Sequence, residues 1–321
     1  MKNETTKWDD APQVFIGVDT GNHLVKTRNH IFSNGVKEFE DEPPLTNDVL
    51  QMDGVYYAVG GERQTVRLDK TNGNEYRILT LAGITKEIRA RNLGNKVRVI
   101  LGIGAPLTRV TKEKESLISY MKQMNTMEYT FEGTSYEVKL EEVYCFPQCI
   151  AAISDRIPNM HGRNIVVDIG SWTKDVAVLE DAKPMLDQNI TVPNSIITLY
   201  QDIRNEVMEK TNTDIPETVI QNYICGKDVV IPMEVMVIID RHMKEFATDT
   251  EGLLREKGYN PDYSQVIYLG GGAAIMKRYG KHAPNIHYIE DIKANAIGFE
   301  MMAKYRWDKD QKNEKAVDMA D

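Results

Sequence analysis

Cysteine is scarce in this chain. There are three in 321 residues, Cys145, Cys149 and Cys225, too few for a disulfide framework. Cys145 and Cys149 could share a helix face, but no His or acidic cluster completes a ligand set around them, which argues against a metal site there. Positive charge is also in deficit: 39 Lys and Arg stand against 48 Asp and Glu, a formal net charge of -9. With no long basic block, direct nucleic-acid binding through a broad basic face is not expected. No apolar run approaches the roughly 18 residues of a membrane span, so no membrane partner is expected. The start, MKNETTKWDDAP, lacks the apolar core of a secretory signal. These absences point to a cytoplasmic protein. Its composition is 41% hydrophobic and 27% charged, ordinary for a globular chain, and its length suits two domains.

Hydrophobic periodicity alternates between strand and helix along the chain, which favours an α/β class. Val14–Asp19 reads as an apolar strand that stops at a DTGN turn, with Leu24–Arg28 as its return. MDGVYYAVG predicts a hairpin with Asp53-Gly54 at the turn. A helix is predicted within Lys70–Asn92, a buried strand over Lys96–Gly104, a helix over Glu113–Met124 and a hairpin around Glu132-Gly133. Val143–Phe146 reads as a short strand, and Pro147 as the start of a helix that continues through Ile150–Ile157. Pro158–Arg163 breaks it and marks the best domain boundary. Beyond it, Ile165–Asp168 ends at DIGS and Asp175–Leu179 returns. Helices follow at Asn194–Lys210, Met233–Lys257 and Asn295–Tyr305, with a buried strand at Gln265–Leu269. The expected division is 14–160 plus about 290–306 for one domain and 163–289 for the other. Residues 1–13 and 307–321 read as loose polar tails. Met233, Met236 and Met243 recur at helical spacing, a pattern that more often packs a core than forms an assembly face.

Three Gly turns carry the chemistry. In DTGNHLVK, Asp19 to Lys26, a strand ends in a tight turn whose backbone N–H groups can form a concave site for phosphate oxygens. Gly21 lets an anion approach closely, Lys26 can bring a positive charge beside β- and γ-phosphates, and Asp19 can orient the waters of a magnesium ion. An ordinary hairpin turn would use the same residue types. DIGSWTKD, Asp168 to Asp175, repeats the design: apolar strand, Asp, Gly170, and hydroxyls from Ser171 and Thr173. Two such turns at the heads of two domains are uncommon, and together they favour phosphate binding. In VIYLGGGAAI, Gly270, Gly271 and Gly272 follow a buried strand and would let a base or ribose lie against the backbone, or would pack a helix closely on the sheet. Gln148, just after Pro147, is too weak a base to abstract a proton but can orient a water for in-line attack on a γ-phosphoryl group.

In this order, DTGNHLVK, FPQ, DIGSWTKD and YLGGGAA resemble the phosphate-1, connecting, phosphate-2 and adenosine motifs of the actin-like ATPases, over roughly Val14 to Tyr305. Within them the chain looks most similar to the bacterial ParM/StbA plasmid-segregation group and its Alp-type relatives, in length, in its short N-terminal hairpins, in GIGAPLT and in the late ANAIGFEMMA. The resemblance implies an actin-like (ribonuclease H-like/actin ATPase) two-domain α/β fold with nucleotide in the interdomain cleft. It implies ATP, or GTP in its place, with Mg2+, and hydrolysis coupled to assembly of the chain with itself into a polar cytoskeletal filament. It further implies plasmid segregation through a centromere-bound, DNA-binding adaptor of ParR type. Carried over position by position, Asp19, Thr20, Gly21, Asn22, His23 and Lys26 fall on the first phosphate loop. Gly170, Ser171 and Thr173 fall on the second, Gly270 to Gly272 on the adenosine loop, and Asn194 near the sugar. Gln148, Asp168 and Asp19 take the catalytic positions, the two aspartates holding Mg2+ through water. His23 and Trp172 depart from the family's smaller residues, and Trp172 is expected to pack outward. A small-molecule kinase of the same superfamily is the alternative function, but it needs a carboxylate base where Gln148 stands. A DnaK-type chaperone needs a longer chain.

Overall fold

In this computed structural model, residues 8–65 and 70–318 are described, the side chains only as far as residue 313. The chain divides into two compact units, one formed by the residues up to Asp155 together with those from Lys293 onward, the other by Arg156–Ile292.

The first unit begins with β1 (Gln13–Gly17), β2 (Asp19–Thr20), β3 (Leu24–Lys26), β4 (Ile31–Ser33), β5 (Val36–Phe39), β6 (Val49–Met52) and β7 (Val55–Val59). α1 (Glu75–Ala90), β8 (Lys96–Ala105), α2 (Val110–Lys122), β9 (Thr126–Phe131) and β10 (Thr134–Pro147) follow. Seven strands pair in the order β1-β8-β10-β9-β6-β7-β5, and β2, β3 and β4 make a small separate sheet. β8 lies between β1 and β10 and is parallel to both. Its run KVRVILGIGA is buried from Val97 except at Arg98, as expected of a strand covered on both faces. Asp53 and Gly54 both have positive φ, 53° and 81°, the backbone that a two-residue primed hairpin turn requires. α1 is buried around most of its circumference, with Thr80 and Thr85 donating back to Tyr76 and Leu81 carbonyls. At Gly83 a Cβ would lie 3.2 Å from both Val18 and Thr27, so the helix packs directly beneath the hairpin that follows β1.

The second unit contains β11 (Arg163–Ile169), β12 (Thr173–Glu180), β13 (Lys183–Pro184), β14 (Ile190–Pro193), α3 (Ile196–Thr211), α4 (Glu217–Ile224), α5 (Met233–Glu256), β15 (Gln265–Leu269), α6 (Ala273–Tyr279) and β16 (Ile286–Ile289). Its sheet runs β13-β12-β11-β15-β16, with β14 also on β12. β11, β15 and β16 are parallel. Ile165, Val167, Val176, Val178, Ile203, Ile239 and Val266 lie in its core. Met243 is fully buried there, Met236 packs against it, and Met233 is exposed. The methionine stripe of α5 is therefore mainly core.

α7 (Ala294–Asp318) returns the chain to the first unit. At Gly17 a Cβ would stand 1.9 Å from the Ala296 carbonyl, and at Gly102 2.4 Å from the Phe299 carbonyl. Backbone thus rests on backbone where α7 crosses β1 and β8. Among the described residues no helix is long and apolar enough to cross a membrane.

Three expectations are corrected. Val143–Phe146 is not a separate strand but the end of β10, which continues past a register shift between Leu140 and Glu142. Pro147 closes that strand and starts no α-helix; two short 3-10 turns, Ala151–Ile153 and Ile157–Asn159, follow. Periodicity could not distinguish that short apolar stretch from a helix. The segment from Trp307 to Asp318 is helical rather than a loose tail, and Tyr144 donates to Asp310 across 2.9 Å. At the other end Trp8 is buried, its ring 4.8 Å below Lys96 Nζ; Met1–Lys7 and 319–321 lie outside the described residues.

Candidate functional site

The site residues fall into two groups, one in each unit. In the first, the residue after Val18 must turn the chain back on itself. Gly21 N donates to Leu24 O at 3.0 Å, closing the loop between β2 and β3, and Asp19 pairs with Lys26 in register. A Cβ at Gly21 would sit 2.9 Å from the Leu24 carbonyl and 3.2 Å from Lys26 Nζ. The loop's shape therefore depends on a bare backbone at that position.

Asp19 is 3% exposed, and two side chains reach it. Lys26 Nζ donates to Oδ2 at 3.0 Å and Gln148 Nε2 donates to Oδ1 at 2.9 Å. Three residues from separate places in the chain thus meet at one buried carboxylate. Gln148 arrives on the turn after β10, where its own N–H donates to Ala105 O at 2.9 Å. Thr20 is buried in β2, while Asn22 and His23 lie half-buried in the loop, with His23 O accepting from Asn34 N at 3.0 Å.

In the second unit Asp168 is 6% exposed and ends β11 opposite Asp175 and Leu269. Gly170 N donates to Thr173 O at 2.9 Å, closing the second loop. Thr173 Oγ1 lies 3.4 Å from Asp175, which also accepts from Thr191. The glycine run packs against the same carboxylate. Gly270 has φ 80°, and a Cβ there would stand 2.4 Å from Asp168 Oδ1; one at Gly272 would overlap Ile169. Asp168, Gly170 and Gly270 are thus brought together. Gly271 approaches Ile196, and Ser171 O accepts from Ile197 N at 2.9 Å, so both loops border the start of α3. Asn194 stands just before it, exposed and left-handed at φ 64°. Trp172 is half-buried.

Several residues of these groups carried no sequence signal. Lys70 Nζ donates to Thr20 O at 2.7 Å, and Asn34 Nδ2 to Gly21 O at 3.2 Å, so the first loop's carbonyls are held from behind. Lys70 keeps some solvent contact yet is densely surrounded, and that desolvation lowers its pKa despite the nearby Asp19 carboxylate. Glu87 is fully buried on α1 and accepts from Thr27 Oγ1, Asn29 N, Asn29 Nδ2 and Arg91 Nε. Burial alone would raise its pKa, but these hydrogen bonds prevail and hold it below the usual carboxylate value. Arg91 passes the connection to Glu300 of α7 at 2.6 Å, and Arg28 joins there at 2.8 Å. The strand bearing Lys26 is therefore clamped to two helices. In the second unit, Ser195 is buried and its hydroxyl finds no partner among the described residues, next to Asn194. Such contacts join distant stretches of chain, and no local spacing announces them.

Residues 17–150 match the family model of the N-terminal domain of actin-like proteins, and residues 166–279 that of the C-terminal domain of the archaeal MreB-like actin homologue. No curated protein matches the sequence. Solved structures match over nearly their whole length. An archaeal actin homologue, Ta0583, is 20% identical with a TM-score of 0.73, covering 91% of this chain and 99% of its own. A ParM from a 15-stranded filament of Clostridium botulinum is 18% identical with a TM-score of 0.74, covering 92% of this chain and 99% of its own. The actin-like protein Alp7A is 17% identical with a TM-score of 0.71, covering 95% and 99%. The resemblance drawn from the four motifs thus holds, and the fold is the actin-like one. An actin-like protein's N-terminal domain is thus matched on one unit and an archaeal actin homologue's C-terminal domain on the other, in agreement with that fold.

Proposed function

We propose that this protein binds and hydrolyses ATP, assembles with itself into polar filaments in the cytoplasm, and segregates plasmid DNA through a centromere-bound adaptor of ParR type. The observation that carries the hydrolytic part is the meeting of Lys26 and Gln148 on Asp19, at 3.0 and 2.9 Å. A phosphate-loop carboxylate, a cation and a water-orienting amide are the parts that in-line attack on a γ-phosphoryl group requires. Among relatives, Ta0583 has been solved in complex with ADP, and Alp12 and the Clostridium botulinum ParM as filaments.

The residues divide the work. Lys26 offsets the charge that develops on the transferred phosphoryl oxygens. The Gln148 amide orients the attacking water. Water adds to the γ-phosphorus, the bond to the bridging oxygen breaks, and ADP and inorganic phosphate result. Thr20, Gly21, Asn22 and His23 in one unit, and Gly170, Ser171 and Thr173 in the other, bind phosphates. Gly270, Gly271, Gly272 and Asn194 bind the nucleoside part of the nucleotide, ATP or GTP in its place.

In this reading Asp19 in the first unit and Asp168 in the second would each hold magnesium through its waters. Both are buried oxygen donors, and each carboxylate has about four acceptor positions, of which Lys26 and Gln148 use two at Asp19. Magnesium, when bound, would neutralise phosphate charge. A kinase reading would need a base at position 148, and an amide is not one.

The test is right-angle light scattering with simultaneous phosphate release after ATP and Mg2+ are added, with Q148A beside the wild type. Scattering should rise and then fall as phosphate appears, the fall being slower in Q148A. Nucleotide binding without scattering at any protein concentration would overturn the filament reading.

A further inference from the structure

We infer that Asn295, at the start of α7, is a positioning residue for Gln148; this rests on the hydrolytic reading above. The argument begins one residue past the glutamine. Cys149 has φ 69° although it carries a side chain, a backbone state uncommon outside glycine. Ile150 N donates to Gln148 O at 2.8 Å, so the chain doubles back within three residues, as in a γ-turn centred on Cys149. Cys149 is fully buried, and a buried amide in so tight a turn requires an acceptor. Asn295 Oδ1 accepts from Cys149 N at 3.0 Å, and Asn295 is itself buried.

The acceptor sits on a fixed support. At Gly298, one turn further along α7, a Cβ would lie 1.9 Å from the Ala151 carbonyl. Together with the backbone contacts at Gly17 and Gly102, this leaves the helix no room to slide. Asn295 therefore holds the turn in the form that sends the Gln148 side chain to Asp19. It touches no reacting atom and acts through residues 148–150. Its chemistry is that of a neutral acceptor aimed at one strained amide.

The experiment is single-turnover ATP hydrolysis by the full chain, with affinity for a fluorescent ATP analogue measured in parallel. N295A should slow hydrolysis by about tenfold or more while leaving affinity within about twofold, since misplacing a water-orienting group affects the step rather than binding. In the Q148A background the same substitution should change the rate by less than about twofold. N295D keeps an acceptor oxygen at a helix start that tolerates a carboxylate, and should restore most of the rate. Equal losses from N295A in both backgrounds, or a parallel loss of affinity, would overturn the inference. If N295A proves too unstable to assay, N295D decides: a rate as low as that of Q148A would overturn it. If the wild type binds nucleotide but hydrolyses none, the hydrolytic reading fails separately. Crystal structures then test the positioning alone, and an unmoved Gln148–Asp19 contact in N295A would refute it.

Discussion

Lys174 follows the loop closed by Gly170 and Thr173 directly, yet its side chain turns away into the protein. It is 7% exposed, donates to Thr250 Oγ1 at 2.9 Å and lies 3.9 Å over the Phe246 ring. Burial pushes its pKa down to about 8, with Asp249 opposing. The folded state therefore releases this proton earlier than the unfolded chain, whose lysine titrates near 10.5. Between those values the unfolded state holds more protons, so stability should rise with pH. From pH 8 to 9.5 the gain from Lys174 is roughly 1–2 kcal/mol, offset in part near pH 9 by the Cys145 thiol, whose pKa burial pushes up to about 12. Above about pH 10 the trend reverses, because burial raises Tyr129, Tyr200 and Tyr268 above their ordinary value of 10.0. Urea unfolding at pH 7, 8 and 9 should show a smaller rise in K174M than in wild type, the remainder coming from other buried groups such as Lys70. A rise of equal size in both would exclude Lys174 as its source. Single residues were legible where a motif named them: Asp19, Lys26 and Gln148 do converge. Lys70, Glu87 and Asn295 were not, because each acts on chain 50 to 146 positions away and has no local spacing of its own.

Secondary-structure elements were legible in proportion to their pattern. α5 starts at Met233 as expected, and the two-residue turns at Asp53-Gly54 and Glu132-Gly133 take the left-handed backbone that their sequence calls for. The stretch after Pro147 was misread because close packing under α7, not periodicity, sets its conformation. The glycine run after β15 offers a test at this scale. Gly270 combines φ 80° with a Cβ position 2.4 Å from Asp168, whereas the Cβ position at Gly271 meets only the Ile196 methyl at 3.3 Å. G270A should cost on the order of 1–3 kcal/mol and weaken ATP-analogue binding by displacing Asp168. G271A should do clearly less of both. Paired urea and binding titrations check this, and equal effects would show that the backbone state is not what matters.

At the scale of the molecule, the two units differ in how they are threaded. The second is one continuous stretch with its own sheet and core, whereas the first draws α7 from the far end of the chain. A 156–292 fragment should unfold cooperatively in urea on its own. A fragment ending at Asp155 should not, since the backbone seats at Gly17 and Gly102 would lose the helix they receive. A cooperative transition in the latter would show that α7 is dispensable. This threading also orders events on the ribosome. Both Asp-x-Gly loops, Gln148 and the glycine run precede Ala294 in the chain, so all of them are translated before α7. On the ribosome the Cys149 amide therefore waits for its Asn295 acceptor until the whole second unit has been made. Vectorial synthesis thus leaves the first unit unfinished while the second is made whole.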